Sequence, residues 1–251
     1  MSEKKTDVLY ILRDVLRFHQ AMGIEMYLND QEVQRFLNRV DRPGAKRDEQ
    51  SGYTAAETGA PVAGIDNLVD EINDCALCRL SRESSGRVPG RGRMGCRLMI
   101  VGDWSSQSGA FSPGTLFGTA EDEMLWKMIA AIEMQADQVY VTNSLKCCPA
   151  DSGTIDGKCE ESCFSFLARE IAAVNPQVIC AMGEIPVRML MGRKEPLARL
   201  RGRFGSYRCK SGRSVPVMPT FHPRFLLEHQ EMKKATWNDL LAIKRRLTEV
   251  P

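Results

Sequence analysis

Apolar residues between positions 97 and 247 fall alternately into short continuous runs and into stripes with helical spacing. The continuous runs predict four buried strands, at Arg97–Gly102, Gln138–Thr142, Gln177–Gly183 and Val215–Thr220. The stripes predict helices at Glu121–Glu133, Glu160–Ala173, Ile185–Met191 and Lys233–Leu247. Strands that alternate with helices favour a three-layer α/β/α fold with a central, mostly parallel sheet of four strands.

The first 65 residues follow a different pattern. An apolar stripe from Val8 to Leu16 predicts a helix that ends near Gly23, and a second helix is predicted at Asp30–Arg39. Residues 41–65 are rich in Gly, Ala, Pro and charged residues, a composition typical of a linker. We therefore expect a helical segment at 1–40, a flexible linker at 41–65 and a main domain at 66–251.

The charge of the chain is nearly balanced overall but uneven along its length. A formal net charge of +2 on 251 residues favours no class of partner. Six arginines and one acid lie between Arg79 and Arg97, and six basic residues and no acid lie between Arg199 and Arg213. These stretches fit a positive binding face and, equally well, two solvated loops.

The hydropathy of the chain indicates its cellular compartment, and the compartment in turn affects how its cysteines are interpreted. The sequence contains no apolar run long enough to cross a bilayer, and its first residues lack the apolar stretch of a secretory signal. We expect a cytoplasmic protein without membrane contact. In a reducing compartment, clustered cysteines are better explained as metal ligands than as disulfides.

Six of the nine cysteines cluster along the chain. They are Cys75, Cys78, Cys147, Cys148, Cys159 and Cys163. The first two form a CxxC pair, and Cys147 with Cys163 is the predicted second pair. Four thiolates suit either Zn²⁺ or a [4Fe–4S] cluster, and spacing does not separate the two. The neighbouring Cys148 and Cys159 leave the choice of ligands open, and unlinked reduced thiols are the plainer alternative.

Polar residues follow three of the predicted strands. Asp103 follows the first strand, Asn143 the second and His222 the last. Ligands of parallel α/β sheets gather at the carboxyl ends of the strands. An amide offers one acceptor and two donors, which can recognise the edge of a planar base. A single Asn or His most often has a purely structural role. The position of Asn143 and His222 at the carboxyl ends of two strands nevertheless favours a shared ligand-binding or catalytic site.

Several motifs between about Cys75 and Leu247 resemble those of a known family. They are CALC, VTNSLKCCP, CEESCFSFLAREI, NPQVICAMGEIPVRMLMG, LRGRFGSY and PTFHPRFLL. In order and spacing they resemble the iron–sulfur uracil-DNA glycosylases, family 4 of the uracil-DNA glycosylase superfamily. The resemblance implies a uracil-DNA glycosylase-like fold, and a DNA repair enzyme that flips uracil out of DNA and hydrolyses its N-glycosidic bond.

The resemblance also implies roles for individual residues. Asn143 would pair with the base edge of uracil, and His222 would donate a hydrogen bond toward the O2 atom, where negative charge develops. The metal ligands would be Cys75, Cys78, Cys147 and Cys163, holding a [4Fe–4S] cluster with no redox role in the cleavage. The expected partner is uracil-containing DNA, bound by a monomer.

The first motif departs from the family pattern. Asp103 follows Gly102 where the family has Glu, and it is expected to position water or steady a cation. Trp104 stands in place of Ala. Leu116 replaces the Phe on which the family stacks uracil, and either the neighbouring Phe117 or Phe111 is expected to supply a substitute ring. We expect Gly102, Leu116 and Phe117 to line the substrate pocket.

Later departures concern the DNA-facing segments. Arg224 stands where the family usually has a small residue, and it is expected to fill the gap left by the base or to contact phosphate. Arg201 and Arg203, in LRGRFGSY, are expected on the DNA-binding face. The chain has one additional residue at Glu121-Asp122, ahead of the following helix.

Two other functions stay open at this point. The altered first motif also fits a catalytically weak or inactive DNA-binding iron–sulfur module of the same fold. A zinc or electron-transfer protein without a nucleic-acid function fits the cysteines alone, but it leaves Asn143, His222 and the basic stretches unexplained.

Overall fold

The computed structural model describes Arg35 and residues 65–106, 114–149 and 155–249. Apart from Arg35, which is helical, the predicted N-terminal helices and linker lie outside the described residues, as does Phe111.

A mixed sheet of five strands forms the centre of the fold. The strands are β1 (Leu98–Gly102), β2 (Val139–Asn143), β3 (Val178–Met182), β4 (Gly205–Arg208) and β5 (Ser214–Thr220). Their spatial order is β2-β1-β3-β5-β4. All neighbours are parallel except β4, which runs antiparallel to β5 at the sheet edge. The predicted α/β fold with a mostly parallel sheet is confirmed.

The predicted strand count was wrong, because the sheet has five strands. The missed strand, β4, contains a single fully buried residue, Tyr207, between the exposed Ser206 and Arg208. A short edge strand needs only one residue facing the core, so no apolar run marks it in the sequence.

Eight α-helices are found in the described part of the chain. They are α1 (Asp66–Asn73), α2 (Leu80–Glu83), α3 (Thr119–Ala131), α4 (Gly157–Val174), α5 (Glu184–Met191), α6 (Leu197–Leu200), α7 (Pro223–Glu228) and α8 (Lys233–Glu249). Short 3₁₀ turns cover Ala136–Gln138 and Gln230–Met232. The four predicted helices correspond to α3, α4, α5 and α8. Helix α4 begins earlier than predicted because the Asp156 side chain accepts a hydrogen bond from the Cys159 N–H group and caps it.

Every position of β1, β2 and β3 is buried. Central parallel strands are covered by helices on both faces, which explains why they are continuous apolar runs in the sequence. Each buried aliphatic side chain contributes about 1.5–3 kcal/mol of transfer free energy. In the described residues, no helix has the length and apolar character needed to cross a membrane.

The register of the strands brings their carboxyl ends to one edge of the sheet. Gly102 of β1 is paired with Asn143 of β2, and Met182 of β3 is paired with Thr220 of β5. Asp103 follows the end of β1 directly, and His222 is the second residue after the end of β5. The residues predicted from strand ends are therefore gathered along one edge.

Candidate active site

Asn143 presents a free acceptor inside the protein. Its side chain is fully buried, and its Nδ2 atom donates a 2.7 Å hydrogen bond to the Leu116 carbonyl. Its Oδ1 atom has no hydrogen-bond partner among the described residues. A buried acceptor without a partner costs about 1–3 kcal/mol, so Oδ1 is a candidate position for a donor from a ligand.

Gly102 leaves space beside this acceptor. A Cβ atom at this position would lie 2.5 Å from the Phe117 ring and 2.9 Å from Asn143 Oδ1. Both distances are shorter than a normal carbon contact. A glycine is therefore required for the backbone of β1 to approach the amide and the ring this closely.

His222 presents a free donor. The residue caps helix α7, and its Nδ1 atom accepts a 3.1 Å hydrogen bond from the Arg224 N–H group. This contact assigns the proton of the neutral ring to Nε2. The Nε2 atom is buried and has no partner in the part of the chain that the structure describes. Burial, assisted by the nearby Arg224 charge, lowers the pKa of His222 well below its usual 6.5, so the ring is neutral at physiological pH.

Phe117 lies beside both of these groups. Its ring centroid is 4.7 Å from that of His222. The ring also packs against Gly102, and the free oxygen of Asn143 lies beside the same glycine. The side chain of Leu116 packs into the main core. Asp122 accepts hydrogen bonds from the N–H groups of Leu116 (2.7 Å) and Phe117 (2.9 Å), which fixes this segment. The aromatic side chain at the site is thus that of Phe117.

Asp103 is anchored at the start of helix α5. Its Oδ1 atom accepts a 3.0 Å hydrogen bond from the Ile185 N–H group. Gly183 has a φ of 114°, and a Cβ atom there would overlap the Asp103 carboxylate. Burial raises the pKa of Asp103 from 3.8 to about 7, although the Ile185 hydrogen bond and the Arg224 charge act in the opposite direction. The carboxylate is therefore about half ionised at neutral pH.

The cysteines divide between two environments. Cys147, Cys159 and Cys163 are buried together with Leu80, Leu145 and Ile185, and Cys78 packs against this group. Cys75 packs against the adjoining cluster of Leu68, Ile72 and Phe166. Cys148 lies in the main core instead. Each of the nine cysteines is a free thiol. Within the described ranges, no group of three or more His, Cys, Asp or Glu side chains is arranged to hold a metal ion.

The four predicted ligands nevertheless lie within electrostatic range of one another. Burial raises the pKa of the Cys147 thiol, the Arg87 charge lowers it, and Cys163, Cys78 and Cys75 raise it, so that the pKa is about 12 in all. The pKa of Cys163 is likewise raised by burial and lowered by Lys146. Soft sulfur donors in an apolar pocket flanked by two cations fit an anionic thiolate-bound centre.

The three arginines predicted to contact DNA lie in different environments. Arg203 is exposed. Arg201 forms a 2.5 Å ion pair with the buried Asp239, which also accepts a 2.7 Å hydrogen bond from the Thr220 hydroxyl. Arg224 is mostly buried and contacts residues of the protein itself. Their role in DNA binding stays a prediction.

Sequence reasoning missed a buried ion pair behind Asn143. Lys146 Nζ lies 2.5 Å from Glu170 Oε2, and both side chains are almost completely buried. The same Nζ atom donates 2.7 Å hydrogen bonds to the Thr142 hydroxyl and the Asn143 carbonyl. The pair therefore fixes the end of β2. The Thr142–Lys146 spacing is in the sequence, but Glu170 comes from a separate helix, and no local pattern connects them.

The fold is that of an α/β protein with buried polar groups, a candidate binding site, at the carboxyl edge of its sheet. The chain belongs to the Uracil DNA glycosylase superfamily, whose family model matches residues 89–241, more than half of its length. The resemblance inferred from the motifs is thereby confirmed.

Curated relatives cover most of the same region. The chain is 26% identical over 183 residues to a Type-4 uracil-DNA glycosylase of Archaeoglobus fulgidus, covering 71% of this chain and 91% of that protein. It is 28% identical over 184 residues to one of Pyrobaculum aerophilum, covering 70% and 91%. It is 25% identical over 174 residues to one of Thermotoga maritima, covering 68% and 88%.

Proposed function

We propose that this chain excises uracil from DNA by hydrolysing the N-glycosidic bond, which leaves an abasic site. One observation supports this most strongly. A free buried acceptor, Asn143 Oδ1, lies beside Gly102, against which the Phe117 ring packs. A free buried donor, His222 Nε2, belongs to a ring whose centroid is 4.7 Å from that of Phe117. A flipped uracil offers N3–H to the first and O2 to the second. The relatives, by name, are uracil-DNA glycosylases.

Base selection follows from the orientation of the Asn143 amide. Nδ2 donates one hydrogen to Leu116, which leaves Oδ1 as an acceptor and the second Nδ2 hydrogen as a donor. Uracil matches this pair with N3–H and O4. Cytosine carries a lone pair at N3, so it leaves Oδ1 facing another acceptor. A site that hydrogen-bonds its substrate in this way rejects the unmatched base strongly.

Bond cleavage places negative charge on the departing base and positive charge on the sugar. As the C1′–N1 bond breaks, its electron pair moves onto uracil, and the neutral His222 Nε2–H group donates to O2, where that charge collects. A water oxygen forms the new bond to C1′, and the proton that this water loses neutralises the departing uracil anion. The Asp103 carboxylate is the group on this edge suited to orient that water and to steady the sugar cation.

We further propose that Cys75, Cys78, Cys147 and Cys163 hold a [4Fe–4S] cluster. When bound, such a cluster acts as a rigid cross-link and takes no part in the cleavage. These residues come from the segment after α1, the segment after β2 and helix α4, so the cross-link would order three parts of the fold. Zinc is the alternative occupant of the same thiolates. Metal analysis of the purified protein separates the two.

The proposed substrate is uracil-containing DNA, bound through basic side chains. Arg203, Arg201 and Arg224 are the predicted contacts, and the exposed Arg203 has the most accessible charge. A cytoplasmic location and a monomeric state are also part of the proposal. Phosphate contacts release counterions, so affinity should fall steeply with added salt.

A second function is favoured by the pKa of Asp103. A carboxylate that is only half ionised at neutral pH, in a first motif without the family's Glu, also fits a DNA-binding module with weak or no catalysis. Release of free uracil that is lost when Asn143 and His222 are both replaced by Ala supports the enzyme. Tight DNA binding without any release supports the module.

A further inference from the structure

Three departures from the family motifs meet at one side chain, that of Arg224. They are Trp104 in the first motif, Glu121 at the additional residue before α3, and Arg224 after the His-Pro pair. Arg224 Nη2 donates a 3.0 Å hydrogen bond to the Trp104 carbonyl, and its Cζ atom lies 4.5 Å from the centre of the Trp104 ring. Its Nε atom lies 3.5 Å from Glu121 Oε1. We call this group the Trp104–Arg224–Glu121 clasp.

The clasp extends into the loop that follows β1. The Ser106 hydroxyl donates a 2.6 Å hydrogen bond to Glu121 Oε1, the same oxygen that faces Arg224. A Cβ atom at Gly118 would overlap both the Glu121 carboxylate and the Ser106 hydroxyl, so a glycine is needed for this close approach. The clasp therefore joins the loop after β1, the start of α3 and the start of α7.

Each joined segment carries a group that the proposed mechanism uses. The loop after β1 carries Asp103, the segment before α3 carries Phe117, and α7 is capped by His222. Arg224 contacts the last of these directly, since its backbone N–H group donates to His222 Nδ1. Arg224 thus fixes the His222 ring through its backbone N–H group. Through its side chain it contacts the loop after β1 and the start of α3.

The charge of Arg224 also acts on both titratable groups of the site. It lowers the pKa of Asp103 and the pKa of His222. The other charged groups that face Asp103 are Glu184, which raises its pKa, and Arg188, which lowers it; both belong to α5. Helix α7 therefore contributes a cation to a carboxylate that burial pushes toward the neutral form.

We propose that Arg224 is a positioning residue, which clasps the loop after β1 and the start of α3 to the His222 turn and so holds Asp103 and His222 in fixed relative positions. This inference rests on the proposed glycosylase function. It differs from the prediction of a phosphate contact. The guanidinium group already donates to a carbonyl and lies over an aromatic ring. Its Nε atom has no hydrogen-bond partner among the described residues but is 3.5 Å from a carboxylate oxygen, and only 26% of the side chain is exposed.

The test compares R224M, R224K and E121Q with the wild type and with R203A as a matched control. Met keeps most of the side-chain volume without the charge, and Lys keeps the charge without the planar group. Uracil release is measured in single turnover on a uracil-containing single-stranded oligonucleotide between pH 6 and pH 9.

For R224M, we expect the rate at pH 7 to fall about tenfold or more, and the midpoint of the acid limb to rise by about one pH unit. For R224K, the midpoint stays near the wild-type value and the rate falls. For E121Q, the rate also falls without a rise in the midpoint. R203A weakens DNA binding and leaves the midpoint where it is.

Two results would overturn the inference. One is R224M with the wild-type rate and midpoint. The other is R224M with an unchanged midpoint, weaker DNA binding and a salt dependence reduced by about one counterion, which is the behaviour of a phosphate contact. Titration of the Asp103 carboxyl group, followed by carbon NMR in wild type and R224M, needs no activity. If the wild type released no uracil, the proposed function would fail, whereas an unchanged Asp103 titration would reject the clasp independently.

Discussion

At the scale of single residues, the site depends on atoms that the protein leaves unpaired. Asn143 Oδ1 and His222 Nε2 are buried beside one aromatic ring, and each is of the polarity that uracil requires at that position. His222 is kept neutral by burial, so it acts as a hydrogen-bond donor and not as a cation. The role proposed for His222 therefore does not require the imidazolium form at neutral pH.

The pKa of Asp103 predicts the pH dependence of activity. Because only the carboxylate can steady the sugar cation, and because the pKa is raised to about 7, we expect the single-turnover rate to rise with pH through neutrality and to level off above it. Protonation of His222 would affect only more acidic solutions. A rate that is constant between pH 6 and pH 8 would show that Asp103 is not used in this way.

The same raised pKa has a consequence for stability. Between pH 3.8 and about 7, Asp103 is protonated in the folded protein and ionised in the unfolded chain. The folded state therefore binds more protons, and the free energy of unfolding falls as the pH rises through this window. We expect D103N to be more stable than the wild type at pH 8, by about 1–3 kcal/mol, because it removes a partly desolvated charge and keeps an acceptor for Ile185. Its uracil release should fall about a hundredfold or more. Urea unfolding at pH 5 and pH 8 checks the first expectation, and D103N with lower stability at pH 8 would contradict it.

At the scale of elements, buried polar contacts fix the strand ends. The Lys146–Glu170 ion pair connects the end of β2 to helix α4, and Lys146 also holds the Asn143 carbonyl. On the other side of the sheet, the Arg201–Asp239 pair connects the segment before β4 to helix α8. These contacts fix two of the segments that carry the candidate site.

A double-mutant cycle tests the buried pair behind Asn143. Replacing Lys146 by Met leaves the Glu170 carboxylate buried and unpaired, so we expect a loss of about 3–5 kcal/mol in the free energy of unfolding. The double variant K146M/E170Q should recover a large part of this loss, because no unpaired charge remains. Urea unfolding of the wild type, both single variants and the double variant measures the coupling. Strictly additive losses would mean that the pair does not act as a unit.

At the scale of the whole molecule, the sequence predicted the architecture and the main polar residues of the site. The strands β1, β2 and β3 are buried on both faces, so each is a short continuous run of mostly apolar residues that is visible in the sequence. Asn143 and His222 were found because they follow such runs. The prediction failed for β4, where only Tyr207 is fully buried.

The contacts between distant segments lay beyond sequence reasoning. Trp104, Glu121 and Arg224 each looked like a separate departure from the family motifs, and only the fold brings them together. Glu170 lies on a different helix from the strand it supports. Long-range partners of this kind leave no local spacing in a single sequence.

The proposed cluster can be tested on the whole protein. We expect anaerobically purified wild type to contain about four iron and four sulfide per chain, and C78S to lose most of both. C180S is a matched control, because Cys180 lies within β3 in the main core. One zinc per chain and no iron in the wild type would reject the iron–sulfur proposal while keeping the cysteine site.

The most direct test of the account is the release of free uracil from DNA by anaerobically purified protein. Oligonucleotides of one sequence, with either uracil or cytosine at a single position, are incubated as single strands and opposite guanine. We expect release from the uracil strands only, and its loss in N143A/H222A although DNA binding persists. Uracil release that is unaffected by this double substitution, or DNA binding with no release by the wild type, would contradict the account.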